Sequence, residues 1–178
     1  RFTIHSWNDD RTVNEPWMYP GVTPAIRGAV ELRYRLLPYL YTLLWPAHAD
    51  AEPLLRPTLL DHEHHAQTSQ ECDDFLLGRD LPVPRVVEAG QRERRVWLPD
   101  NATGWYDFYT HAWFAGGQSI VLDAPLEKLP LLVRAGAALP LSERITHVSA
   151  EKDDTRELKL FPVKGVGTTS GMLFEDDG

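Results

Sequence analysis

Between residues 24 and 49 the apolar side chains Ile26, Ala29, Val30, Leu36, Leu37, Leu40 and Leu44 recur at spacings of three and four, the period of one helical face. Thr23 is a good N-cap and Pro24 suits the first helical turn, so the spacing predicts one long helix over 24–49. Pro38 lies inside it and predicts a kink near Arg33 to Leu37, because its ring removes one backbone hydrogen bond and crowds the preceding turn. Tyr34, Tyr39, Tyr41 and Trp45 widen the apolar face. Such a face needs a large partner, either a second copy of the chain in a homodimer through helix 24–49 or the rest of the chain folded back on it.

From about residue 70 the pattern shortens into β-type runs at 95–99, 105–109, 119–123, 131–134 and 138–141, broken by Pro, Gly and Asp. Their number and spacing predict an antiparallel sandwich. A further pair, 157–161 and 171–174, follows the charged stretch 151–155 and reads as the start of another β unit. Residues 1–6 alternate loosely and form a candidate short strand, followed by a polar loop up to Pro20. The fold class is therefore α+β.

Composition narrows the partners. With 178 residues, 43% hydrophobic and 25% charged, the chain has the makings of a folded core. A net charge of −8 and no basic run beyond Arg92 to Arg95 give no footprint for nucleic acid. No apolar run approaches a membrane span, and no signal-peptide pattern opens the chain. The single cysteine, Cys72, excludes an internal disulfide and fits a reducing, cytoplasmic setting. No cofactor motif is present: neither a P-loop nor a dinucleotide fingerprint occurs.

Four clusters carry candidate chemistry. His5, Trp7, Asp9, Asp10, Glu15 and Trp17 crowd the first twenty residues, and paired carboxylates are what glycosidases use; Asn-Asp-Asp is equally ordinary turn chemistry. Asp61-His62-Glu63-His64-His65 has atoms suited to zinc, and in a strand His62 and His64 would share a face, whereas a solvated polar edge is the plainer reading. Glu175-Asp176-Asp177-Gly178 lacks the spacing of a calcium loop. Trp97, Trp105, Trp113, Tyr106, Tyr109 and Phe114 are either sugar-stacking platforms or core.

The order of the segments adds what the residues alone do not. Arg-Phe-Thr-Ile-His-Ser-Trp-Asn, Asn-Glu-Pro-Trp-Met-Tyr-Pro, Leu32 to Tyr41 (Leu-Arg-Tyr-Arg-Leu-Leu-Pro-Tyr-Leu-Tyr), Pro53 to Pro57, Asp74 to Gly78, Ala115 to Gln118, Leu129 to Gly136 and Leu173 to Gly178 together resemble glycoside hydrolase family 31, the α-glucosidase and α-xylosidase family. The resemblance implies that residues 1–65 are the end of a (β/α)8 catalytic barrel, 66–145 a proximal β-sandwich, and 146–178 the truncated start of a distal one. It also implies that the chain is a C-terminal piece of a longer retaining α-glycosidase whose nucleophile and acid/base Asp residues lie upstream. No catalytic residue is then expected in this chain. By position His5 matches the family's substrate-binding histidine, although the family often has Ser-Arg-x-His where this chain has Phe-Thr-Ile-His, and Trp7 falls beside the sugar. The reading from a different class is a non-catalytic carbohydrate-binding or structural β-sandwich module.

Overall fold

A computed structural model describes residues 15–70, 73–143 and 155–176. The predicted helix is present as three successive segments, α1 (Thr23–Arg35), α2 (Leu37–Thr42) and α3 (Leu44–Ala49), parted at Leu36 and Leu43. Backbone bonds from Leu36 N–H to Leu32 O (3.0 Å) and from Leu43 N–H to Tyr39 O (3.1 Å) carry the chain across both partings. Pro38 accounts for the first, as its sequence position implies. The second has the same cause in Pro46, which donates no bond to the turn before it. Thr23 is not the N-cap but the first helical residue; its hydroxyl donates to Tyr19 O (3.0 Å) and so fastens the 3-10 turn Pro16–Met18 to α1.

Among the described residues ten strands follow the helices or alternate with two further short helices, α4 (Thr58–Asp61) and α5 (Ala66–Gln70). There they form four small antiparallel sheets. β1 (Leu55–Pro57), β2 (Phe75–Leu77) and β3 (Leu81–Val83) pair in that order. β4 (Glu93–Leu98) pairs with β7 (Gln118–Asp123) over six residue pairs, from Glu93 opposite Asp123 to Leu98 opposite Gln118. β5 (Trp105–Asp107) sits between β6 (Trp113–Phe114) and β8 (Leu132–Arg134), and β9 (Ala137–Ser142) pairs with β10 (Arg156–Phe161).

Neighbouring residues of β8 bind two cores together. Leu132 belongs to one with Val96, Leu98, Trp105 and Leu122; Val133 belongs to the other with Leu36, Tyr39, Leu81, Leu139 and Phe161. The alternation of strand side chains makes this possible, since successive residues face opposite ways. Leu36 and Tyr39 reach the second core because α2 lies against β9. The broad helical face is thus covered in part by the chain's own strands, with Leu32, Leu40 and Leu43 at its margin, while Leu44 stays 48% exposed.

A further expectation is corrected. Residues 171–174 form no strand: Ser170 makes one isolated parallel bridge to Ala137, and the chain beyond runs irregularly onto the helices. Residues 62–65 form the turn between α4 and α5, tied by Thr68 Oγ1–H to His62 O (2.6 Å) and His65 O (2.8 Å). The strand expected over residues 1–6 lies outside the described residues.

Candidate functional site

The expected sugar-contacting residues His5 and Trp7, with Asp9, Asp10 and Cys72, lie outside the described residues. What the structure does describe is the ground beside them. Pro16–Met18 turns tightly, with Met18 N–H bonded to Glu15 O (3.0 Å), and carries Trp17 at 72% exposure.

Several carboxylates of the described part are paired with guanidinium groups. Arg56 is buried and grips Asp61 at two points, Nε to Oδ2 and Nη2 to Oδ1, both 2.6 Å. Glu52 takes Arg79 at 2.7 Å and lies 3.5 Å from Arg56. The hydrogen bonds from Arg56 hold Asp61 below the usual carboxylate range against the opposing effect of burial, and those from Arg79 do the same for Glu52. Asp80 pairs with Arg134 at 2.6 Å, and Asp74 with Arg94 at 2.8 Å. An acid catalyst must hold a proton near neutral pH, which a carboxyl with a depressed pKa does not do. Asp61 and Glu52 are therefore not placed to serve as general acids.

The histidine cluster divides. His62 turns its ring edge-on to Trp105 with centroids 6.1 Å apart, and His65 lies 6.4 Å from Trp97. His64 points away, with its side chain 90% exposed. Burial pushes the His62 imidazole below its ordinary value, outweighing the Asp61 carboxylate beside it. Among the described residues no group of three His, Cys, Asp or Glu side chains is placed to hold a metal ion.

Within the aromatic zone Trp105 is core, Trp97, Tyr106, Trp113 and Phe114 are half-buried, and Tyr109 is exposed. Trp105 is 1% exposed, and its indole N–H is spent on Pro99 O at 2.9 Å. Trp113 donates to Thr103 O (3.1 Å) and lies under Lys164 Nζ, 4.0 Å from its ring. Tyr109 donates to Leu129 O (2.9 Å), and burial raises its pKa to about 12. Lys159 Nζ caps the Phe108 ring at 3.9 Å and donates to Phe108 O (2.5 Å). These are anchored groups, with their polar atoms committed to the backbone.

One contact escaped the sequence reading. Phe174 stacks on Trp45 (4.7 Å) and Tyr41 (6.0 Å), its N–H donates to Thr42 Oγ1 (3.0 Å), and Tyr41 Oη–H donates to Asp176 Oδ2 (2.7 Å). Glu175 meanwhile pairs with Arg156 at 2.6 Å. The four-residue spacing of Tyr41 and Trp45 puts both on one helical face, which was the available signal; nothing local says that Phe174 fills it.

A cavity of about 180 Å3 lies between the helices, the β2–β3 turn and Met172, walled by Thr42, Leu43, Glu52, Arg79 and Asp80. A second, of about 20 Å3, lies between α4 and β4. No described helix is long and apolar enough to cross a membrane.

Residues 51–139 match the glycosyl hydrolase family 31 C-terminal domain, and residues 1–43 match the TIM-barrel domain of the same family. Neutral alpha-glucosidase AB of Homo sapiens is 35% identical over 166 residues, 92% of this chain and 18% of the relative. A probable glucan 1,3-alpha-glucosidase of Arabidopsis thaliana is 30% identical over 178 residues, 99% of this chain and 19% of the relative. Among solved structures, a Flavobacterium johnsoniae dextranase complexed with glucose superposes with a TM-score of 0.85 at 33% identity, over 92% of this chain and 20% of its own. An alpha-xylosidase of Xanthomonas citri does so with a TM-score of 0.69 at 32% identity, over 75% of this chain and 15% of its own. The chain thus spans less than a fifth of the length of these curated relatives. With two adjoining domain models of one family matched in order and the same fold in a family 31 dextranase, the chain belongs to glycosyl hydrolase family 31.

Proposed function

We propose that this chain is the C-terminal portion of a retaining α-glycosidase acting on α-linked sugars. The observation that carries the reading is the 0.85 TM-score and 33% identity to the dextranase over 92% of the chain. In this reading residues 1–65 close a (β/α)8 barrel, 66–145 form the proximal β-sandwich and 146–178 open the distal one. His5 donates or accepts a hydrogen bond at a sugar hydroxyl, and Trp7 packs beside the ring.

Retaining hydrolysis needs a carboxylate nucleophile and a carboxylic acid that protonates the leaving oxygen, about 5–5.5 Å apart. In this proposal both come from barrel strands upstream, and this chain contributes the wall that orients the sugar and the sandwich that backs the final barrel helix. Relatives named as acting on glucosides, dextran and xylosides leave the sugar itself to be read from the complete pocket.

The test is hydrolysis of a chromogenic α-glucoside. The full-length protein is expected to turn it over with retention of configuration, and the chain alone is expected not to. Turnover by the isolated chain, abolished by replacing Asp9 or Asp10, would overturn the assignment. The competing carbohydrate-binding module draws no support from Trp105, which is buried with its N–H engaged. Made alone, the chain exposes Val30, Leu44 and Trp45, and we propose that this surface pairs with a second copy as a homodimer; Leu44→Glu is expected to return a monomer in light scattering.

A further inference from the structure

We propose that residues 62–70 form a pH-released flap hinged at Asp61: when the His62 imidazole takes up a proton, the flap leaves Trp97 and Trp105 while Asp61 stays in the grip of Arg56. The flap is tied to itself. His65 N–H donates to His62 O (3.2 Å), Thr68 N–H to His65 O (3.1 Å), and the buried Thr68 hydroxyl to both carbonyls. α4 and α5 pack chiefly on each other, and α4 on β1. Toward β4 and β5 the flap presents two rings: His62 meets the buried Trp105 edge-on, and His65 lies by Trp97.

His62 is seated where a charge is costly. Its ring shares a wall with Leu76, Val96, Leu98 and Leu132, and an imidazolium there gives up hydration that these side chains do not replace. The charged groups around it leave that cost standing. On its own element the Asp61 carboxylate is held at two points by Arg56 of β1, while Glu63 and His64 turn to solvent, 72% and 90% exposed. Asp74, just before β2, lines the same wall but is paired with Arg94 of β4 at 2.8 Å. The His65 ring, 6.3 Å away, opposes the charge further. Burial accordingly outweighs Asp61 and lowers the His62 pKa from its ordinary 6.5.

Proton linkage then fixes the direction of the change. Released, the imidazole is solvated and titrates near 6.5; docked, it titrates lower, so the released form binds more protons as pH falls below about 6.5. One proton shifts the equilibrium toward release by at most about tenfold per pH unit. Asp61 is held below 3.8, so across that range its carboxylate stays charged and α4 stays tied to β1. The two anchors work in separate pH windows, which makes residue 61 the hinge.

Hydrogen–deuterium exchange of the full-length protein, read by mass spectrometry and corrected for intrinsic rates, tests the flap between about pH 7.5 and about pH 5, on either side of the ordinary histidine value. Helices as short as α5 hold little structure without packing, so release is read as lost amide protection. Protection over 62–70 is expected to fall by up to about tenfold per pH unit below about 6.5, while 58–61 and β4 keep theirs. His62→Phe keeps a ring against Trp105 that takes no proton, and it is expected to remove the pH dependence. The proposal is overturned if protection over 62–70 is flat in the unaltered protein, if 58–61 opens in step with 62–70, or if His62→Phe opens with pH as its parent does. If His62→Phe fails to fold, the profile of the unaltered protein decides.

Discussion

Trp45 and Phe174, drawn from the helical and the C-terminal ends of the described chain, stack with ring centroids 4.7 Å apart and planes inclined by 20°. Phe174 has no strand ladder to hold it; this stack, its twin with Tyr41, the Thr42 hydrogen bond and the Tyr41–Asp176 hydrogen bond tie the segment after Ser170 to the helices. Aromatic pairs contribute about 0.5–1.5 kcal/mol beyond the area they bury. Phe174→Ala is expected to cost about 1–3 kcal/mol in urea unfolding of the full-length protein and to shift Trp45 emission toward that of a solvated indole. Unchanged emission would show that the stack does not hold the segment.

Buried Arg56 and half-buried Asp61 make a second test. Arg56→Met is expected to destabilise by about 1–3 kcal/mol, because it removes the two-point hydrogen-bonded partner of the half-buried Asp61 carboxylate. Adding Asp61→Leu is expected to recover most of that loss. Arg56→Lys is expected to behave as a disruptive change, since an ammonium cannot reproduce the two-point grip. A double-mutant cycle by denaturant unfolding reads all three.

The same pair sets a pH dependence. Asp61 is held below its ordinary value of 3.8 in the folded chain by the Arg56 hydrogen bonds. The unfolded chain therefore binds the proton first as pH falls. The contribution of the pair is full above the ordinary carboxylate value and is lost as pH drops through the depressed folded one. Side-chain carboxyl NMR titration is expected to show Asp61 protonating after the exposed carboxylates.

His62 works in a higher window. Burial depresses its pKa below the ordinary 6.5, so below about pH 6.5 the unfolded chain takes up a proton that the folded chain resists. Stability is full above that value and falls as pH drops toward the folded one. His62→Phe is expected to flatten the pH–stability profile between the two, while His64→Gln, at an exposed site, is expected to leave it unchanged. A profile unaltered by His62→Phe would show that other groups set it.

For the catalytic reading, His5→Ala in the full-length enzyme is expected to lower kcat/KM by roughly ten- to a hundred-fold, the cost of about 1.5–3 kcal/mol for one charge-assisted hydrogen bond that tightens at the transition state. Unchanged kinetics would remove His5 from the substrate site.

Local chemistry determined much of this protein in the sequence alone. The three- and four-residue apolar spacing specified the helical stretch, Pro38 its break, and the short runs at 95–99, 119–123 and 157–161 the strands that overlap them, because each depends on backbone preferences acting over a few residues. The order of motifs carried the family, since a run of segments retains its order even where single residues drift. Tertiary structure decided the rest. The strand pattern did not reveal that 171–174 leaves the sheet for the helices, because alternation reports a half-buried extended chain and not its partner. The five-residue histidine cluster could not say which rings face inward; that depended on a turn between α4 and α5 and on Trp97 and Trp105 arriving from strands distant in sequence. Burial and pairing are sums over many non-local contacts, so these features exist only once the whole chain has folded.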